Sequence, residues 1–289
     1  MTMTRETSKN GRHRAGREPG DDRGEGLGQG REVRGAGSAP GSAPTAERTG
    51  RSDAPVVLVT GAGSGLGAAT ARVLADAGYR VVAADIDLER ARETAHGIDG
   101  PDGDVVPLEL DVTDIESAQA AIAWTVDRFS SLDVLINNAG IDVTLPFEQM
   151  GTAEWNRVLD VNLRGPMLMS QLAFPALRMS GRGHIVNIAS TAAKRAWENA
   201  TAYHASKWGL LGFSHALHTE ARAVGIKVTA IVTGGMRTPF LLDRFPDLDL
   251  GVLQPPENVA RAILFALRQP DETVIPEMLV LPMRESSWP

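Results

Sequence analysis

The chain has 289 residues, of which 43% are apolar, with no cysteine and a formal net charge of −7. This composition allows a sizeable core and excludes disulfides and thiolate metal sites. The acid excess argues against a nucleic-acid partner. No apolar run approaches the ~20 residues of a membrane span, and the first residues lack a secretory stretch. The expectation is a cytoplasmic protein with no membrane or nucleic-acid partner.

Residues 1–54 are rich in Gly, Arg, Ser and Pro and poor in large apolar side chains. Such a segment cannot bury enough surface to offset its ordering entropy, so it reads as a disordered tail. From residue 55 strands and helices alternate. Strands are expected over 56–59, 80–84, 105–110, 134–136, 184–188, 227–232 and 278–281. Helices are expected over 65–77, 88–96, 115–129, 203–224 and 257–267, with a long helical stretch over 152–179 bent near Gly165 and Pro166. Continuously apolar strands alternating with helices imply one α/β domain over 55–289. Its doubly wound parallel sheet would be covered on both faces, giving three layers.

The run TGAGSGLG at 60–67 follows the first strand and opens the first helix. Glycines there let the backbone approach a pyrophosphate, and the helix N-terminus offers free N–H groups and positive potential. Asp85 closes the second strand, 18 residues beyond Gly67, where a carboxylate can bond an adenosine ribose. Downstream, Tyr203 and Lys207 stand four residues apart, one above the other on a helix face. An ammonium beside a phenol lowers the phenol's pKa toward neutrality and equips it to exchange a proton with an alcohol oxygen. Ser190, thirteen residues before Tyr203, could hold that oxygen. His204, His215 and His218 lack zinc-site spacing, and no metal site is expected.

Five motifs in order resemble the short-chain dehydrogenase/reductase family over 55–289: TGxxxGxG with Gly61, Gly65 and Gly67; Asp111 before Val112; NNAG ending in Asn138, Ala139 and Gly140; Asn162; and Ser190 with Tyr203 and Lys207. The resemblance implies a Rossmann-like fold and hydride transfer between a nicotinamide and a secondary alcohol or ketone. Tyr203 would be the acid/base and Ser190 the partner of the substrate oxygen. Lys207 would tune Tyr203 and bond the nicotinamide ribose, and Asn162 would hold a linking water. The cofactor would lie against Gly61, Ser64, Gly65, Leu66, Gly67, Asp85, Asp111, Val112, Asn138, Ala139, Gly140, Tyr203, Lys207, Gly234 and Thr238. The family's usual PGxxxT is here TGGMRT, with Thr233 in place of proline, which removes a fixed φ from that loop.

Asp85 would accept from the ribose hydroxyls of NAD and repel a 2′-phosphate. Ser64 and Ile86 offer no cation to hold one, so NAD is favoured over NADP. Residues 238–254, with Phe240, Leu241, Leu242, Phe245, Leu248 and Leu250, occupy the place of the family's substrate lid and suggest an apolar small-molecule substrate. Arg195 near Trp197 could anchor one carboxylate. A homodimer or homotetramer through 152–179 and 203–224 is implied. An NADPH-dependent 3-oxoacyl or aldehyde reductase and a catalytically silent dinucleotide sensor remain alternative readings. Because residues 1–50 have almost nothing to add to a core, deleting them should leave the thermal midpoint within about 2 °C and NAD affinity within about twofold. Thermal denaturation and titration of the shortened chain check this.

Overall fold

The computed structural model describes residues 54–98 and 105–285. Except for Ala54, the tail expected over 1–54 lies outside the described residues. The described strands are β1 Val56–Thr60, β2 Arg80–Asp85, β3 Val105–Glu109, β4 Val134–Asn137, β5 His184–Ser190, β6 Lys227–Thr233 and β7 Glu277–Val280. They form one sheet in the order β3-β2-β1-β4-β5-β6-β7, with every neighbouring pair parallel. The helices are α1 Gly65–Asp76, α2 Leu88–His96, α3 Ile115–Phe129, α4 Thr152–Leu159, α5 Gly165–Ser180, α6 Thr201–Ala221, α7 Pro239–Leu242 and α8 Pro256–Leu267.

Successive strand side chains point to opposite faces, and β1 supplies both layers. Val56 and Leu58 pack among Ala118, Ile122, Met169 and Leu177 of α3 and α5. Val57 and Val59 pack among Ala69, Leu74, Val259 and Ile263 of α1 and α8. Every residue of β1, β4 and β5 is buried, as their near-continuous apolar character requires for a sheet covered on both sides. The order places β1 and β4 side by side although two strands intervene in sequence. Chain direction across the sheet reverses there, opening a crevice at the strands' carboxyl ends.

The expected elements are present, with one structural correction. The stretch 152–179 is not one helix bent at Gly165: α4 stops at Leu159, and a π-helical turn, Asp160–Arg164, precedes α5. Pro166 has no N–H to offer the carbonyl of Asn162, and its ring crowds that carbonyl. The backbone widens, and Gly165 N–H instead reaches back to the Asp160 carbonyl. Unforeseen too is α7, a single turn that begins at Pro239.

Asp133, just before β4, ties the sheet's lower end together. Its buried carboxylate accepts the Val56 N–H at 2.7 Å, the Ser131 hydroxyl at 2.8 Å and Arg182 Nε at 3.0 Å. Asp133→Ala would orphan a buried backbone donor. Because Arg182 is partly exposed, the loss should be about 2–3 kcal/mol of unfolding free energy, read by denaturant titration.

Candidate active site

The crevice between the ends of β1 and β4 is built from short chain segments held by one another. Thr60 Oγ1 accepts the N–H groups of Asn138 and Ala139, both at 3.0 Å. Asn138 Nδ2 donates to the carbonyls of Thr60 and Gly61, both at 2.9 Å. The glycine loop then turns back so tightly that a Cβ on Gly67 would lie 2.0 Å from the Gly61 carbonyl oxygen. Gly65, at φ +53°, adopts a left-handed conformation beside Thr238. Ser64 precedes α1 without capping it, so the first-turn N–H groups of α1 face the crevice without a side-chain partner from Ser64.

A cleft of about 370 Å³ runs over this loop. Of the residues expected around a cofactor, Gly61, Ser64, Gly65, Leu66, Asp85, Asp111, Val112, Asn138, Ala139, Gly140, Tyr203, Lys207 and Thr238 line it. Gly67 does not; it serves the close packing of the loop. Gly234 is also absent and lines the neighbouring cavity instead. Asp85 is held for its place: Oδ2 accepts the Gly63 N–H at 2.8 Å and Oδ1 the Asp87 N–H at 3.0 Å. Ser64 and Ile86 offer no cation, but the lack expected from them does not extend to the whole cleft. A cation does stand at this end of the cleft, because α2 brings Arg90 to its wall, paired at 3.3 Å with Asp87. Four residues beyond Ile86, Arg90 enters on the first turn of a helix, a position that inspecting the strand end alone misses.

A second cavity, of about 440 Å³, adjoins the cleft. Tyr203, Thr233, Met236, Thr238 and Phe240 line both. Ser190 faces the second cavity only. Tyr203 therefore stands where the two spaces meet, with the Ser190 side chain interacting with its hydroxyl. Burial pushes the Tyr203 phenol up to about 12, with the Ser190 interaction pulling the other way. This overturns the expectation of a phenol lowered toward neutrality. Lys207 lies 5.7 Å from the tyrosine ring centre, but its Nζ donates to the Ile188 carbonyl at 2.9 Å. The ammonium is itself buried, which lowers the Lys207 pKa to about 8.

Asn162 is fully buried in the π-helical turn and lines neither cavity. Its Oδ1 accepts the Ile141 N–H at 2.8 Å, and its Nδ2 donates to the Ile141 carbonyl at 2.7 Å and Ser206 Oγ at 3.1 Å. It clamps the segment that follows β4. His204 is structural as well: Nε2 accepts the Trp197 N–H at 3.1 Å, leaving Nδ1 to donate to the Ala192 carbonyl at 2.9 Å.

Four of the expected lid residues, Phe240, Leu241, Phe245 and Leu248, line the second cavity; Leu242 and Leu250 do not. Arg195 does not line it either, and Arg244 does. Asp142, Glu198 and Glu285 also reach it, from loops whose spacing carries no recognisable signal. The loop at Thr233 remains fastened without proline. Gly234 N–H donates to the Val280 carbonyl at 3.0 Å, and Gly235 N–H to Glu285 Oε2 at 2.9 Å. No group of three or more His, Asp or Glu able to hold a metal occurs among the described residues.

The model of the short chain dehydrogenase family matches residues 55–249. A trans-4-hydroxycyclohexanecarboxylate dehydrogenase from Sinomonas cyclohexanicum is 36% identical over 219 residues, covering 73% of this chain and 84% of that protein. The solved 3-ketoacyl-(acyl-carrier-protein) reductase from Brucella melitensis, complexed with NADH, superposes with a TM-score of 0.73 at 29% identity. It covers 80% of this chain and 98% of that one. A metagenomic short-chain oxidoreductase in complex with NADP gives 0.70 at 31% identity, covering 79% and 97%. The chain belongs to the short-chain dehydrogenase family and is a nicotinamide-dependent oxidoreductase of alcohols and ketones.

Glu285→Ala removes the charged acceptor from the Gly235 N–H. Hydrogen exchange at that amide should quicken about 10- to 100-fold, the worth of one such bond, while amides of β4 and β5 keep their protection.

Proposed function

We propose that the protein interconverts a secondary alcohol and its ketone with NAD as cofactor, Tyr203 exchanging the proton. The observation that carries this reading is the position of Tyr203 on the wall shared by the two cavities. The residues of the cleft fit a dinucleotide. The glycine loop leaves room where a Cβ would collide, the start of α1 faces the cleft, and Asp85 presents a fixed carboxylate. When bound, the nicotinamide supplies or accepts the hydride.

The chain's own residues handle the proton. In reduction the Tyr203 phenol donates to the ketone oxygen; in oxidation its phenolate takes the hydroxyl proton. Ser190 holds that oxygen by hydrogen bonding as charge develops. Lys207 steadies the phenolate and reaches the nicotinamide ribose. Asn162 acts one step removed, by fixing Ile141 and the helix that carries Ser206 and Lys207. The apolar side chains of 240–248 exclude water from the reacting centre, which strengthens both polar interactions. Arg90 tempers the choice of NAD without reversing it, because it is paired with Asp87 and mostly exposed, whereas Asp85 is fixed by two backbone donors.

The same reading has the domain of 55–289 working in the cytoplasm as a homodimer or homotetramer. Exposed Met167 and Trp208 on α5 and α6 support an interface on those helices. The cytoplasmic assignment rests on composition.

A Tyr203→Phe variant should keep the ring packing and cofactor binding while losing about 10²- to 10⁴-fold in kcat. Rates followed by nicotinamide absorbance over a panel of secondary alcohols and ketones check this, and turnover near wild type would sink the assignment. With the phenol pushed up to about 12, the base form is scarce at neutral pH. Alcohol oxidation should therefore speed up as pH rises from 7 toward about 8, where Lys207 still carries its charge, and ketone reduction should not.

A further inference from the structure

The second cavity contains a group for which the proton chemistry of Tyr203 and Ser190 has no use. Asp142 lies five residues beyond β4, and its side chain is only 8% exposed. One carboxylate oxygen, Oδ2, is ion-paired with Arg244 from the segment after α7. The other, Oδ1, is buried with no hydrogen-bond partner among the described residues. Leaving a buried charged acceptor unmatched is costly, and such atoms call for a partner. Asp142 lines the cavity together with Tyr203 and Ser190, and it is near enough to act electrostatically on both Tyr203 and Lys207.

Arg244, the cation at this cavity's wall, is already engaged. Besides Asp142 it donates from Nε and Nη2 to the Phe240 carbonyl, at 2.9 and 2.6 Å, and its guanidinium sits 4.3 Å over the Phe240 ring. Phe240 in turn lies 6.0 Å, centre to centre, from Tyr203. A substrate carboxylate would have to displace Asp142 to reach Arg244. It would also meet Glu198 and Glu285, so that three carboxylates share the cavity's lining with one guanidinium.

We infer that this cavity selects an alcohol or ketone carrying a second hydrogen-bond donor, a hydroxyl or ammonium, which donates to the Asp142 carboxylate once a small rotation brings Oδ1, enclosed in this structure, to the cavity, and that it disfavours substrates bearing a carboxylate. The inference rests on Tyr203 and Ser190 gripping the reacting oxygen, and it adds the second point at which the substrate is held. With the reacting oxygen held at Tyr203 and Ser190 and a donor held at Asp142, a cavity of about 440 Å³ suits a small ring bearing two polar groups. The two holding points also fix which carbinol meets Tyr203.

The test compares kcat/KM with NAD for cyclohexanol, the cyclohexane-1,2-, 1,3- and 1,4-diols, 2-aminocyclohexanol and 4-hydroxycyclohexanecarboxylate. At least one diol or the amino alcohol should exceed cyclohexanol by about 10- to 100-fold, the worth of one hydrogen bond to a charged acceptor, and the carboxylate should fall below it. The diol and amino alcohol arms separate hydroxyl from ammonium. In Asp142→Ala the donor-bearing advantage should collapse to within about threefold, a ratio that cancels any general loss of activity. If that variant does not fold, Asp142→Asn should keep part of the hydroxyl advantage and lose any ammonium advantage. Cyclohexanol matching every donor-bearing compound, preference for the carboxylate, or an unchanged ratio in Asp142→Ala would each overturn the inference. If no alcohol turns over, the proton-transfer reading fails. Calorimetric binding of the diols against cyclohexanol, with NADH present, then still decides the role of Asp142.

Discussion

The side chains of Thr60 and Asn138 join β1 to β4 where the sheet changes direction, and the site depends on that join. Two parallel strands whose connections leave toward opposite edges part at their carboxyl ends, and the gap would otherwise expose unpaired backbone groups. Here Thr60 satisfies two N–H groups of the β4 segment, and Asn138 satisfies two carbonyls of the β1 segment. The exchange holds the glycine loop and the Asn138–Gly140 backbone in fixed relation. The cleft between them is therefore formed before any ligand arrives. Preorganisation of this kind lowers the ordering cost of binding.

The reacting end is fixed from farther away. A π-helical turn forced by Pro166 presents Asn162 inward, and Asn162 then clamps Ile141 on one side and the Ser206 hydroxyl on the other. One buried amide thus ties together the chain after β4 and the helix bearing Tyr203 and Lys207. Burial makes the phenol harder to ionise and the ammonium easier to deprotonate, so both groups of the free protein are pushed toward their neutral forms.

Much of this was legible in the sequence because local chemistry determined it. The continuous apolar runs of β1, β4 and β5 announce buried parallel strands, and the glycine spacing and the Tyr203–Lys207 interval each describe a single turn of backbone. Other features depend on which loops meet. Arg90, Asp142 and Glu285 come to the cavities from three distant segments, and nothing in their neighbours marks them. The direction of the Tyr203 pKa is hidden from sequence for the same reason, since it is set first by burial, with Ser190, Asp142 and Arg244 acting from other segments. At Thr233, residue type suggested a loosened loop, yet Glu285, 52 residues away in sequence, supplies a carboxylate that fastens the next residue but one.

The most direct measurement of the central claim is an equilibrium titration of the full chain with NADH and with NADPH, read by nicotinamide fluorescence. The proposed use of NAD, with Asp85 meeting the adenosine ribose, predicts saturable binding of NADH, tighter than NADPH by about tenfold or more, the size of one unfavourable charge contact. Tighter binding of NADPH would contradict the role given to Asp85, and the absence of saturable binding by either would contradict the assignment of the cleft itself.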